Sequence, residues 1–123
     1  MTRRPLICVI DDDESVRESL PDLIREFGFD VHVFSSAEEF LASESAGHAE
    51  CLLLDIAMPG MTGLELQQDL ERRQSGIPII FITALADYKV RSAALRQGVA
   101  ACLFKPFSDT ELRHALNRAL KRD

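Results

Sequence analysis

Long apolar runs are missing from this 123-residue chain: none approaches the roughly 18 residues that a membrane span needs, so no partnership with a membrane is expected. The opening MTRRPLICVIDDD is basic and then apolar, but acids follow after a handful of residues and no small-residue cleavage site appears, which argues against a signal peptide and for a cytoplasmic protein. Cysteines number three, Cys8, Cys51 and Cys102, with no C-x-x-C spacing and an odd total. That count excludes a disulfide framework and a zinc ribbon, and the apolar surroundings of each cysteine point to small buried hydrophobes. A glycine-rich phosphate cradle after the first apolar run is also absent, since Asp11, Asp12 and Asp13 stand there; a dinucleotide-binding domain is disfavoured accordingly. Clustered bases are scarce in a chain of net charge −6, so direct binding of nucleic acid is not expected. The charge is unevenly spread, with 6 bases against 16 acids in residues 1–85 and 8 bases against 4 acids in residues 86–123.

What is present is a regular alternation. With 46% hydrophobic and 28% charged residues the composition is that of a soluble globular domain, and the length suits one domain over residues 1–123. Short β-rich apolar runs occur at Leu6 to Ile10, Cys51 to Leu54, Ile79 to Ile82 and Ala101 to Phe104, as strands covered on both faces would show. Asp30 to Phe34 is a fifth candidate. Between them lie helical periods: Val16, Leu20, Leu23, Ile24 and Phe27; Phe40 and Leu41; Leu66 and Leu70; Val90 and Ala94; and Leu112, Ala115, Leu116, Ala119 and Leu120. Ser36 with Glu39, Thr62 with Glu65, and Ser108 with Glu111 have capping-box spacing, and Gly28 and Gly98 mark helix ends. Pro21 falls inside the first helical period, where it should kink or divide the helix. The βαβαβαβαβα order predicts an α/β fold, a parallel sheet with helices on both faces.

In such sheets ligands bind at the carboxyl ends of the strands. There the first run ends in Asp11, Asp12 and Asp13, the third in Asp55, the fourth in Thr83 and the fifth in Lys105. Two carboxylates about 4 Å apart repel by roughly 4 kcal/mol at an effective dielectric near 20, so the cluster needs a neutralising partner. An all-oxygen set suits Mg²⁺, with Asp11 and Asp12 as ligands at a strand end. A cation there attracts a phosphoryl group, for which Lys105 supplies a second positive charge and Thr83 a hydroxyl donor. Asp55, alone at the end of a central apolar strand, is the best candidate for an attacking carboxylate. Asp13 is better suited to capping the first helix.

The segments Ile-Asp-Asp-Asp-Glu, Leu-Leu-Leu-Asp-Ile-Ala-Met-Pro-Gly-Met-Thr-Gly, Ile-Thr-Ala and Lys-Pro-Phe, in this order and at these separations, closely resemble those of response regulator receiver domains along the whole chain. The resemblance implies a flavodoxin-like (βα)5 fold with strand order 2-1-3-4-5. It also implies a signalling phosphoacceptor rather than an enzyme with turnover. Asp55 would receive phosphate from a histidine kinase; Asp11, Asp12, Asp55 and the carbonyl of Ala57 would hold Mg²⁺; Thr83 and Lys105 would contact the phosphoryl oxygens. Ala84 would leave the phosphoryl group room, the Lys105–Pro106 bond would be cis, and Pro59-Gly60 and Gly63 would form the turn after the acceptor strand. One position departs from the pattern: Cys102 stands where many receivers carry a switching aromatic, and Phe104, two residues along, is a poor substitute. Ala57 and Leu85 are apolar where fast-hydrolysing relatives carry polar groups, which predicts slow self-dephosphorylation.

Phosphorylation adds about 1.5 to 2 negative charges beside Thr83 and Lys105. The surface most directly biased is therefore the fourth helix, fifth strand and fifth helix, within the basic stretch, as an output face and as the site of a homodimer formed on phosphorylation. The segment GVAACLFKPFSDTELRHAL looks most like receivers of the FixJ type, which usually precede a DNA-binding output domain, so an attached or partner output or effector domain controlling transcription is expected. The main alternative is a phosphate-independent interaction module of the same fold. A haloacid-dehalogenase-like phosphatase is disfavoured because it needs a second acid two residues after the nucleophile, where Ala57 stands.

Overall fold

Four short apolar runs and one alternating segment, Asp30–Phe34, each too short to form a stable surface helix, pair into one sheet. The computed structural model describes residues 4–84, 88–96 and 98–121, without the side chains of Tyr88, Val90, Arg91 and Ala94. In chain order the elements are β1 (Leu6–Ile10), α1 (Glu14–Glu26), β2 (Asp30–Phe34), α2 (Ala37–Leu41), a 3-10 turn (Glu44–Gly47), β3 (Cys51–Asp55), α3 (Gly63–Arg72), β4 (Ile79–Thr83), α4 (Tyr88–Arg96), β5 (Ala101–Phe104) and α5 (Asp109–Ala119). The strands are all parallel and ordered β2-β1-β3-β4-β5, as expected from the resemblance. β3 and β4 each run one residue beyond the apolar run, so Asp55 and Thr83 are themselves the last residues of strands.

The sheet divides the core in two. On one face Leu20 and Ile24 of α1 meet Leu112, Ala115, Leu116 and Ala119 of α5 over Ile7, Val9, Leu53 and Ile80. On the other, Ala37 and Phe40 of α2 and Leu66 and Leu70 of α3 cover Cys8, Ile10, Leu52, Leu54 and Phe81. The three central strands are buried throughout, apart from Leu6 at the start of β1, whereas β5, expected to be covered on both faces, is half-buried. Its place at the sheet edge explains the difference. Cys8 and Cys51 are fully buried, and burial pushes both thiols up to about 12; Cys102, on the edge strand, is only half-buried.

Pro21 does not divide α1, which is continuous from Glu14 to Glu26. An interior proline costs about 3 kcal/mol, but burying Leu20 and Ile24 on either side contributes about 1.5–3 kcal/mol each, enough to hold both turns on the sheet. α1 begins at Asp13, whose carboxylate accepts from Ser15 N, and ends before Gly28 at φ +100°. Arg4 then clamps this end, its Nη2 donating to the carbonyls of Arg25 and Phe29 while Nε pairs with Asp30. Thr62–Glu65 and Ser108–Glu111 form full capping boxes. At α2 the box is incomplete: Ser36 caps Glu39 N, but the Glu39 carboxylate accepts from Ser35 instead of Ser36. Among the described residues no helix is long and apolar enough to cross a membrane.

Candidate functional site

Parallel pairing brings four strand ends to one rim. In register, Ile10 lies beside Leu54 and Asp55 beside Ile82, so Asp11 and Thr83 follow directly on either side of Asp55. Thr83 pairs with Phe104, and Lys105 N donates to the Thr83 carbonyl at 2.8 Å, which carries Lys105 to the same edge. Carboxylate oxygens of Asp11, Asp12 and Asp55 lie within 4.8 Å of one another. The Lys105 ammonium stands 2.8 Å from Asp11 Oδ2. Asp11, Asp12, Asp55 and Lys105 thus meet at one place, and Thr83 ends the neighbouring strand at the same edge.

Each acid is held differently. Asp11 is completely buried: its Oδ1 accepts from Asp13 N at 2.9 Å, its N–H donates to the Phe34 carbonyl, and its carbonyl accepts from Arg17 Nη1 at 2.9 Å. Asp12 is exposed and presents its carboxyl to Asp55. Asp55 is 5% exposed, and its Oδ1 accepts from the N–H of Ala57 at 3.3 Å. Asp13, next to this group, is the helix cap expected from the sequence, and its hydrogen bonds from Ser15 lower its pKa.

The electrostatics leave the rim short of positive charge. Burial raises the Asp55 carboxyl to about 7, the Asp11 charge and the Asp12 carboxyl add to the rise, and the Lys105 charge and the Ala57 N–H only partly oppose it. Burial would lower the Lys105 pKa, but its hydrogen bond to Asp11 and the charges of Asp11, Asp55 and Asp13 outweigh that and raise it, so the lysine is a fixed cation. One ammonium therefore faces three carboxylates. Three carboxylate oxygens within mutual reach form a hard, anionic donor set, which fits a small divalent cation such as Mg²⁺. Receiver domains bind Mg²⁺ at such acidic residues.

The backbone after Asp55 turns tightly into α3. Gly63, at the start of α3, packs so closely that a Cβ there would overlap the Asp55 carbonyl oxygen; only glycine lets α3 begin against the strand. Gly60 has φ +73° and Lys105–Pro106 is cis, both as expected. Ala84, the small residue after Thr83, is exposed. Cys102 lies beside Phe81 in register and packs against the core, so a thiol occupies the position where an aromatic switch was in question. Leu85, which with Ala57 carries the expectation of slow hydrolysis, lies outside the described residues. Two contacts were not foreseen: the Arg17 bond to the Asp11 carbonyl, and the reach of Glu38 on α2 to the loop after Asp55, where its Oε2 accepts from Met61 N at 3.2 Å. The sequence offered only an arginine and a glutamate on helix surfaces.

Comparison with known proteins agrees with this geometry. Residues 7–117 match the response regulator receiver domain family. Nodulation protein W of Bradyrhizobium diazoefficiens is 41% identical over 98% of this chain and 53% of its own length. The transcriptional regulatory protein FixJ of the same organism is 34% identical over 99% of this chain and 60% of its own. The solved structure of the response regulator StyR superposes with a TM-score of 0.87 at 42% identity, covering 97% of this chain and 60% of that one. The chain thus spans between half and two thirds of the length of these relatives. From fold, rim and similarity together, this chain belongs to the response regulator receiver domain family of two-component signal transduction.

Proposed function

We propose that Asp55 accepts a phosphoryl group from the phosphohistidine of a histidine kinase and that the acyl phosphate alters which partner the domain binds. The observation that carries this reading is the meeting of three carboxylates and one ammonium at the carboxyl edge of the sheet. An Asp55 carboxylate oxygen forms the new O–P bond as the donor's P–N bond breaks, and the released imidazole keeps the electron pair and takes up a proton. Asp11, Asp12, Asp55 and the carbonyl of Ala57 would hold Mg²⁺, which when bound offsets charge on the carboxylates and on the phosphoryl oxygens. Lys105 supplies a fixed positive charge to the incoming group, and Thr83 its hydroxyl. The Ala57 N–H, bound to Asp55 Oδ1, orients the acceptor.

Phosphorylation adds charge beside the ends of β4 and β5, so the α4-β5-α5 surface is the output face, and homodimerisation through it follows phosphorylation. FixJ is named a transcriptional regulatory protein, and the relatives are longer than this chain; the reading therefore includes an attached or partner output domain that controls transcription. Cys102 in place of an aromatic means that switching relies on the movement of Thr83 and Lys105. Incubation with acetyl phosphate and Mg²⁺ followed by intact mass tests the reading: wild type should gain one phosphoryl group and Asp55→Asn none. Equal labelling of both would refute it.

A further inference from the structure

The loop from Ile56 to Thr62 leaves β3 directly after Asp55 and carries Ala57, whose N–H holds the acceptor carboxylate. Its inner half is fixed by burial. Ile56 and Met58 enter the same core cluster as Ala37 and Phe40 of α2, and Gly63 N donates to the Ile56 carbonyl at 3.0 Å. The outer half, Pro59 to Met61, is held less firmly: Pro59 and Gly60 are exposed, and Met61 packs against that cluster while only partly buried. There a single side chain reaches across from α2: Glu38 Oε2 accepts from the N–H of Met61, 23 residues away. The same oxygen fills the space beside Gly60, where a Cβ would lie 2.7 Å from it. The base of this latch is rigid. α2 is capped by Ser36 and docked through fully buried Ala37 and Phe40, the latter edge-on to Phe34 with ring centroids 5.5 Å apart.

We infer that Glu38 is a positioning residue for the acceptor site, latching the outer turn of the β3–α3 loop so that Ala57 is held ready to orient Asp55 and to present its carbonyl to Mg²⁺. The inference rests on the reading of Asp55 as phosphoacceptor. A competing role exists, since an acid in the first turn of a helix favours that helix through its charge alone. The two roles differ in what they require. The latch requires an acceptor oxygen at the length of a glutamate side chain; the helix-charge role requires only the negative charge.

Three variants of the full chain separate them. Glu38→Gln keeps the length and an acceptor oxygen but loses the charge, Glu38→Asp keeps the charge but falls short of Met61, and Glu38→Ala loses both. Read-outs are hydrogen exchange at the Met61 amide in metal-free protein, Mg²⁺ affinity by calorimetric titration, and the rate of Asp55 labelling by acetyl phosphate at saturating Mg²⁺. The latch predicts that Glu38→Ala and Glu38→Asp speed Met61 exchange and weaken Mg²⁺ binding and labelling by about three- to tenfold, the worth of one such hydrogen bond. Glu38→Gln should stay within about twofold of wild type in all three, since its acceptor survives. The inference is overturned if Glu38→Asp matches wild type while Glu38→Gln does not, or if Glu38→Ala changes neither Mg²⁺ affinity nor labelling in a protein whose wild type labels normally. Should wild type take no label while Met61 exchange and Mg²⁺ affinity still follow the predicted order, the phosphoacceptor reading fails and the latch stands.

Discussion

The two ends of the same strands do opposite work. At their carboxyl ends β1, β3, β4 and β5 deliver Asp11, Asp55, Thr83 and Lys105, of which the first three are buried polar groups. At the amino ends the same strands begin with Leu6, Cys51, Ile79 and Ala101, and beside the start of β4 lies a cleft of about 460 Å³ whose walls include Leu70, Ile77 and Val99, with Gln67, Glu71 and Lys121 also lining it. Both ends share one hydrogen-bonded register, so the difference lies in the side chains alone. Packing at the amino edge contributes stability, while the carboxyl edge gathers like charges that oppose folding until something neutralises them. Separating the two lets the rim be reactive without weakening the core beneath it.

The sharpest way to break this comparison is to disable one edge and watch the other. Asp55→Asn should abolish phosphorylation completely and leave the fold intact, as read by intact mass and circular dichroism; residual labelling would mean that another rim acid accepts. Leu70→Ala, at the amino edge, should lower unfolding free energy by about 2–4 kcal/mol through cavity formation, yet leave the labelling rate of the folded protein unchanged. A slowed rate in that variant would show that the edges are coupled. Lys105→Met removes the ammonium paired with completely buried Asp11; it should cost about 3 kcal/mol in metal-free denaturation, and Mg²⁺ should restore part of the loss.

A smaller effect follows from pH. Asp55 is raised from an ordinary 3.8 to about 7 in the folded chain, so the folded state holds this proton more tightly than the unfolded state does. The contribution of Asp55 to metal-free stability is therefore greatest below about pH 4 and declines as pH rises toward 7, by on the order of 1–2 kcal/mol after solvent screening at the rim, read as the difference between wild type and Asp55→Asn. Saturating Mg²⁺ should flatten that decline; a difference that does not change with pH would assign any slope to another group. The smallest effect belongs to a cap remote from the rim charges, where Ser108→Ala should destabilise by about 1 kcal/mol in urea titration without changing the chemistry at Asp55.

The strand ends were legible because a parallel sheet turns sequence position into spatial position: a polar residue closing an apolar run must lie at the carboxyl edge. The same logic fixed the helix starts, where Asp13, Thr62 and Ser108 act on backbone only two or three residues away. What escaped the sequence depends on how elements rotate against one another. Glu38 and Met61 are 23 residues apart, Arg4 and Phe29 are 25 apart, and nothing local in either pair announces the contact. The continuity of α1 through Pro21 belongs with them, since the local rule was outweighed by burial of Leu20 and Ile24 that only the packed sheet supplies. The half-burial of Cys102 likewise reflects the edge position of β5 and not its composition.

The central claim is tested most directly by trapping the acyl phosphate where it forms. After labelling with acetyl phosphate and Mg²⁺, borohydride reduction and peptide fragmentation should show homoserine at position 55 and aspartate unchanged at positions 11, 12 and 13. Homoserine at any of those three positions with residue 55 unmodified would contradict the account.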